Sequence, residues 1–261
     1  MNEYWYPCAF SHWGEEEYDA IKRVTKSGRF TMGPEVEAFE EEFARFHGMK
    51  HGVMVNSGSS ANLIAVAALC AHDDFEEGKE ADVPAIAWAT TYAPLVQYGF
   101  NLRILDCDGT WNVSGPLNGS DLLIDVPVLG NATRNELIGS GTYAYQIQDC
   151  CESLGARDAD GHLCGTQYDM STFSFYHSHQ ISAIEGGMIL TNDDELNALC
   201  RMLRDHGMTR WQKPKTFDDE YDFRLMGYNV RPVEMHAAIA REQLKKLPRM
   251  IENRVAKPTV V

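Results

Sequence analysis

The hydrophobic positions along the chain switch repeatedly between two periods. Over Glu15–Ser27, Tyr18, Ile21 and Val24 recur at the spacing of one helical face, and Gly28 follows as a stop signal. Val36, Phe39, Phe43 and Phe46 repeat that spacing behind Pro34, a residue suited to a first helical position, until Gly48 closes the element. The phenylalanine stripe reads as core. Beyond it, short apolar runs alternate with helical stretches. "HGVMVN", "DVPAIA", "LRILDC", "DLLIDVPVL", "YAYQIQD", "MSTFSF" and "GMILT" read as strands, and residues 63–69, 90–98, 193–206 and 232–247 as helices. Asn192 or Asp193 can cap the third of these. The alternation predicts an α/β fold, with a mostly parallel seven-stranded sheet between helices. "KTFDDEYDF" is charged and lacks a clear period, so it reads as a solvated, mobile loop.

Composition narrows the function classes. A chain of 261 residues, 44% of them hydrophobic, can bury a substantial core as one large domain with at most a small appendage. With 23 Lys plus Arg against 38 Asp plus Glu, the formal charge is −15, which argues against nucleic-acid or anionic-membrane partners. Any phosphate must then be held locally by backbone amides and hydroxyls. "MNEYWYPCAF" lacks the basic start and apolar run of a signal peptide, and no run approaches the ~20 apolar residues of a membrane span. Seven scattered cysteines without a Cys-x-x-Cys pair fit a reducing compartment. The expectation is a cytoplasmic protein.

In an open α/β sheet, ligands collect at the carboxyl ends of strands. Three segments fall there. Asn56 to Asn62, "NSGSSAN", is a small-residue turn between strand and helix that can present N–H groups to an anion, although such turns often bind nothing. Asp149 follows directly on an apolar strand, where it can face a ligand or merely cap the next turn. In "STFSFYHSHQISAIEGGMIL", His179 sits at the polar bend between two strands. His177 and His179 could share a face toward a metal, but the sequence offers no further ligand cluster, and no metal is expected.

Taken together, these segments resemble the fold-type I, pyridoxal-phosphate-dependent sugar aminotransferases of the DegT type. The likeness begins at "RFTMGPEVEAFEEEFARFHG" and runs through "VNSGSSANLIA", "WATTYAPLVQYG", "QDCCESLGA" and "HQISAIEGG" to "LMGYNVRPVEMHAAIAREQLKKLP". In that family the catalytic lysine lies in a Ser-Phe-x-x-x-Lys pattern ahead of Gly-Glu-Gly-Gly. Counted from Ser174 and Phe175, its place is taken here by His179, and the first glycine of the quartet by Ile184. The replacement resembles the family's sugar 3-dehydratase branch. An imidazole can relay protons near neutral pH but cannot tether the cofactor covalently.

The resemblance implies pyridoxal 5'-phosphate or pyridoxamine 5'-phosphate as cofactor and His179 as acid and base. It implies Asp149 on the pyridinium nitrogen, Trp88 on the ring face, Gly58, Ser59 and Ser174 on the phosphate, and Glu152 near the ring hydroxyl. Asn229 would reach a neighbouring subunit's cofactor, which implies a homodimer. Substrates would be a GDP- or CDP-linked 4-keto-6-deoxy hexose and glutamate. Residues 1–245 would form the cofactor-binding large domain, and 246–261 a remnant leading toward an absent C-terminal small domain. Two other outcomes stay open: a sugar aminotransferase using His179 for proton transfer, and a non-catalytic binding homologue.

Overall fold

The computed structural model describes residues 12–72, 79–114, 119–133, 142–212 and 216–256. The N-terminal decapeptide, Cys8 and the last five residues of the chain lie outside that set. Two helices come first, α1 (Glu15–Ser27) and α2 (Pro34–His47), each ended by a left-handed glycine, Gly28 at φ 70° and Gly48 at φ 69°. That conformation carries no side-chain penalty in glycine, which is why the two stop signals were readable.

Seven strands follow: β1 (His51–Val55), β2 (Glu80–Pro84), β3 (Asn101–Leu105), β4 (Leu122–Asp125), β5 (Tyr145–Asp149), β6 (Met170–Ser174) and β7 (Gly187–Thr191). They form one sheet in the order β1-β7-β6-β5-β4-β2-β3. β2 through β6 pair in parallel, while β7 runs antiparallel to both its neighbours, β6 and β1. β1 through β6 therefore all point the same way. Their carboxyl ends, together with the start of β7, share one edge of the sheet.

Side chains alternate between the two faces as the pleat requires. Val53 and Val55 of β1 and Ile189 of β7 join the core under α3 (Gly58–Ala71) and α5 (Asp194–Arg204). Met54, Met188, Leu190 and Phe173 join the opposite core, under α2 and α7 (Glu234–Val255). The phenylalanine stripe sits at the centre of that second core. The Phe43 ring meets Phe39, Phe173 and Phe175 at centroid separations of 5.6, 5.1 and 5.3 Å. α3 is buried nearly all round, which explains its unbroken Ala/Leu composition.

The boundaries depart from the sequence reading most in five places. α3 starts at Gly58 and not at residue 63, because Ser57 caps it, so most of the expected small-residue turn is helix. β2 stops at Pro84, and β4 stops at Asp125. Beyond each stop the chain leaves the ladder to wall a cavity, and a single 3-10 turn forms at Val128–Gly130 with Leu129 at φ 53°. α7 continues to Val255 through Pro248, well past the expected stop at residue 247. Ile251 then packs where a side chain on Gly155 would otherwise stand, and this contact holds the extra turns. The expected loop at 215–223 instead contains α6 (Phe217–Glu220), a short helix closed by reciprocal bonds between Thr216 and Asp219. Its signal is a capping box without an apolar face behind it, which periodicity cannot detect. Asp193, not Asn192, caps α5, its carboxylate accepting from the N–H groups of Glu195 and Leu196 at 2.7 and 2.8 Å.

His47 closes α2 inside the phenylalanine core, with Nδ1 3.0 Å from the Phe43 carbonyl oxygen. Burial pushes its imidazole down to about 4. The unfolded chain therefore takes up a proton near pH 6.5 that the folded chain refuses until about pH 4. Stability should fall as pH drops through that window. His47→Phe should flatten the dependence, as measured by urea unfolding between pH 7 and pH 4.

Candidate active site

The shared edge of the sheet opens into a cavity of about 580 Å³, of a size that takes a cofactor or small ligand. α3 begins there because Ser57 caps it, accepting from the Ser60 N–H at 3.1 Å. α4 (Ala89–Gln97) begins there with Trp88 as its N-terminal flank. β5 delivers Asp149, β6 delivers Ser174, and the β6–β7 connection delivers His179.

Seven of the eight residues expected from sequence line this one cavity: Gly58, Ser59, Trp88, Asp149, Glu152, Ser174 and His179. Asn229 does not. It is exposed and pairs through its backbone with Asp205. Its expected contact is with a neighbouring subunit's cofactor and not with this cavity. Trp88 is 74% exposed, so it is not an ordinary core tryptophan.

The Asp149 carboxylate, 5% exposed, is the anchor of the site. One of its oxygens accepts from the Asn62 side-chain amide and the Thr91 hydroxyl, both at 2.8 Å. The other accepts from the Cys151 N–H at 3.2 Å. Asp149 thus caps its turn and faces the cavity at once. Asn62 is itself held by the Thr172 hydroxyl, which donates to its amide oxygen at 2.6 Å. Sequence reasoning missed Asn62 and Thr91. Their signal was present, since both lie in the first turns of helices that follow strands, within "SGSSAN" and "WATTYA".

Gly58 is required by close approach. A Cβ there would stand 2.6 Å from the Ser174 Cβ and 2.8 Å from the Cys151 sulfur. Ser59 and Thr90 share a hydroxyl bond of 2.8 Å that joins the starts of α3 and α4. Burial, reinforced by the Asp149 charge, holds the Cys151 thiol well above its ordinary value, so it lines the cavity as a neutral group.

His179 is half-buried in a tight turn, its N–H donating to the Tyr176 carbonyl at 2.9 Å. Burial lowers its pKa below the ordinary imidazole value. The carboxylates of Glu152 and Asp149 oppose that shift, and the Arg254 guanidinium adds to it. The neutral, proton-accepting form is favoured. His177 is exposed and sits edge-on to Tyr176 without lining the cavity. Among the described residues no group of three His, Cys, Asp or Glu side chains could hold a metal.

The turn carrying His179 is closed by a bulge. Phe175 donates its N–H to the Gly186 carbonyl at 2.8 Å and accepts from the Ala183 N–H at 3.0 Å. Ile184 and Glu185 project between those two bonds. Ile184 sits at φ 71°, a conformation β-branched residues avoid, and the Glu185 N–H closes a three-residue turn onto the Ala183 carbonyl at 2.9 Å. The bulge brings Glu185 to the cavity.

The DegT/DnrJ/EryC1/StrS aminotransferase family model matches residues 11–116 and 134–259, and the chain belongs to that family. It is 42% identical to a GDP-4-keto-6-deoxy-D-mannose 3-dehydratase of Yersinia pseudotuberculosis, over 98% of this chain and 70% of that one. It is 40% identical to the protein of the same name from Escherichia coli O55:H7, over 95% and 70%. A solved structure of an E. coli GDP-4-keto-6-deoxy-D-mannose-3-dehydratase with bound hydrated PLP superposes with a TM-score of 0.90 at 40% identity, covering 96% of this chain and 70% of the other.

Asn62→Ala tests the anchor. It leaves the Thr172 hydroxyl and one Asp149 oxygen short of a partner, and should cost about 1–3 kcal/mol, read by denaturant unfolding. An unchanged midpoint would show that the Asp149 carboxylate is held without Asn62.

Proposed function

We propose that the chain is a 3-dehydratase that removes the C3 hydroxyl of a nucleotide-linked 4-keto-6-deoxy hexose, GDP- or CDP-linked. It uses pyridoxamine 5'-phosphate, with glutamate restoring the amine. The observation that carries this reading is the cavity in which His179, a proton carrier without a tethering amine, shares the space with Asp149 and Trp88.

The donor set suits the cofactor. Ser57 takes the Ser60 N–H, and among the described residues the amides of Gly58 and Ser59 have no bonding partner. They are the open donors of a helix start, the place for a phosphate. The Gly58–Ser174 approach is too close for any side chain at residue 58, as a cradle around an anion requires. The Asp149 oxygen that takes the Cys151 N–H at 3.2 Å keeps acceptor capacity, which suits a pyridinium N–H. The exposed face of Trp88 suits an aromatic ring, and Glu152, whose carboxylate accepts from the Leu129 N–H at 3.2 Å, stands at the same wall.

Bound there, the cofactor would supply an amine for the sugar ketone, a carbon beside its ring that can give up a proton, and a ring able to pass the electron pair left behind on to the breaking C3–O bond. The protein's part is to orient, to exclude water and to move one proton. Neutral His179 accepts it; the resulting imidazolium returns it to the departing C3 hydroxyl. Ile86, Val126 and Val128 give the cavity an apolar wall. The assembly we propose is a homodimer in the cytoplasm. Exposed Phe217, Phe223 and Met226, close in sequence to Asn229, support a covered surface there. Among the described residues no helix is long and apolar enough to cross a membrane.

Incubation with pyridoxamine phosphate, glutamate and the GDP- or CDP-linked sugar should yield a 4-keto-3-deoxy sugar and ammonia. An amino-sugar product would replace the dehydratase reading with a transaminase. His179→Lys should gain a borohydride-reducible covalent link to the cofactor that the parent lacks; a parent that forms one through another lysine would sink the proposal. Because the lowered pKa keeps the imidazole neutral, the acid limb of the rate profile should lie below pH 6.5, with activity lost as pH falls through it.

A further inference from the structure

The start of α1 is fastened from several sides. Gly14 is its N-cap, and the Gly14 N–H donates to the Glu17 carboxylate at 2.7 Å. Across that cap Trp13 and Tyr18 meet edge to face with ring centroids 5.8 Å apart, an apolar staple that fixes the angle at which the chain enters the helix. Glu17 is fully buried. Its carboxylate also accepts from the Gln243 amide at 2.6 Å and from Lys246 Nζ at 2.7 Å, both on α7.

The Trp13 ring held by this staple sends its indole N–H to the Ser182 carbonyl at 2.7 Å. Ser182 lies three residues beyond His179, on the turn that joins β6 to β7. Gln243 meets the same residue from α7. Its amide nitrogen is committed to the Glu17 carboxylate, so its oxygen faces the Ser182 N–H, in a long contact of 3.5 Å. On either side of Ser182, Ile181 and Ala183 are fully buried in the core that holds the phenylalanine stripe. The Gln180 side-chain amide donates to the Glu152 carbonyl at 3.0 Å. Residues 180–183 are thus held from four directions, while the His179 N–H is tied within the turn, to the Tyr176 carbonyl.

We propose that Trp13 is a positioning residue for His179: through the Ser182 carbonyl it holds the second half of the turn, and with it the imidazole, in place at the cavity. The role in catalysis rests on the reading of the site given above. The competing explanation runs the other way, with a rigid turn pinning the flank of α1. Two observations favour the first direction. α1 is already capped, stapled, bound to α7 through Glu17 and packed on Ala238 through Ala20 and Val24, so it does not need Ser182 to stay docked. The turn, by contrast, carries Ile184 at φ 71° two residues beyond Ser182, and a strained segment relaxes when a restraint is removed.

The test uses Trp13→Phe, which keeps a ring on the staple and removes the N–H. Val24→Ala, in the α1–α7 contact, is the control for lost stability. In cofactor-free protein, Trp13→Phe should speed amide exchange at Ser182 and Ala183 about tenfold, and Val24→Ala should leave both rates at the parent value. In a His179→Lys background, adding Trp13→Phe should slow formation of the borohydride-trapped link to pyridoxal phosphate about tenfold, because the amine must reach the cofactor from the same place. In turnover, Trp13→Phe should lower kcat about tenfold with KM within about twofold. Unchanged exchange at Ser182 and Ala183 overturns the proposal, as does an equal increase in Val24→Ala. Faster exchange with an unchanged trapping rate also overturns it, because the grip on Ser182 would then not reach position 179. Exchange and trapping need no turnover, so absent product from the parent would end the dehydratase reading alone.

Discussion

Four elements of the structure meet on one carboxylate. β5 supplies Asp149, α3 supplies Asn62, α4 supplies Thr91, and β6 supplies the Thr172 hydroxyl that orients Asn62. A buried charge without partners is costly, and each bond to an ionised group contributes about 1.5–3 kcal/mol. The network therefore fixes the helix starts against the strand ends. Once they are fixed, Gly58 meets Ser174 at a distance no side chain permits, Ser59 meets Thr90, and Trp88 stands at the mouth of the cavity. The shape of the pocket is a consequence of how one acid was buried.

Much of this was legible before any coordinates. Apolar spacing and glycine stops located α1 and α2, and short β-rich runs located all seven strands, because those signals are local. Their order was not legible. That β1 lies beside β7, and runs against it, depends on a pairing across more than a hundred residues, His51 with Thr191 at one end, whereas the β6–β7 hairpin is local. The site divides in the same way. Asp149, Ser174 and His179 could be named because each follows a strand, and the family resemblance assigned their roles. Asn62 and Thr91 look like ordinary polar residues of a first helical turn, and only the fold aims them at Asp149. Glu185 needed the bulge beside Phe175, which no local pattern announces.

The bulge shows how much constraint the hairpin carries. Ile184 occupies a backbone region that costs about 1–3 kcal/mol for a residue of its type, and its side chain is 42% exposed, so packing does little to offset that cost. The two bonds of Phe175 hold the conformation in place, with the Phe175 ring buried against Phe39 and Phe43. Strain at the rim of the site is thus balanced by the aromatic core beneath it.

The reversed direction of β7 has one more effect. A strand followed by a crossover helix would carry its terminal residue away on a long arm, whereas β6 and β7 return side by side and grip the intervening turn at both feet. The side chain at position 179 is presented at the tip of a clamped arch and contributes nothing to the ladder that positions it. Its chemical identity is thereby decoupled from the architecture: the same arch can carry an amine or an imidazole while the sheet's register stays untouched.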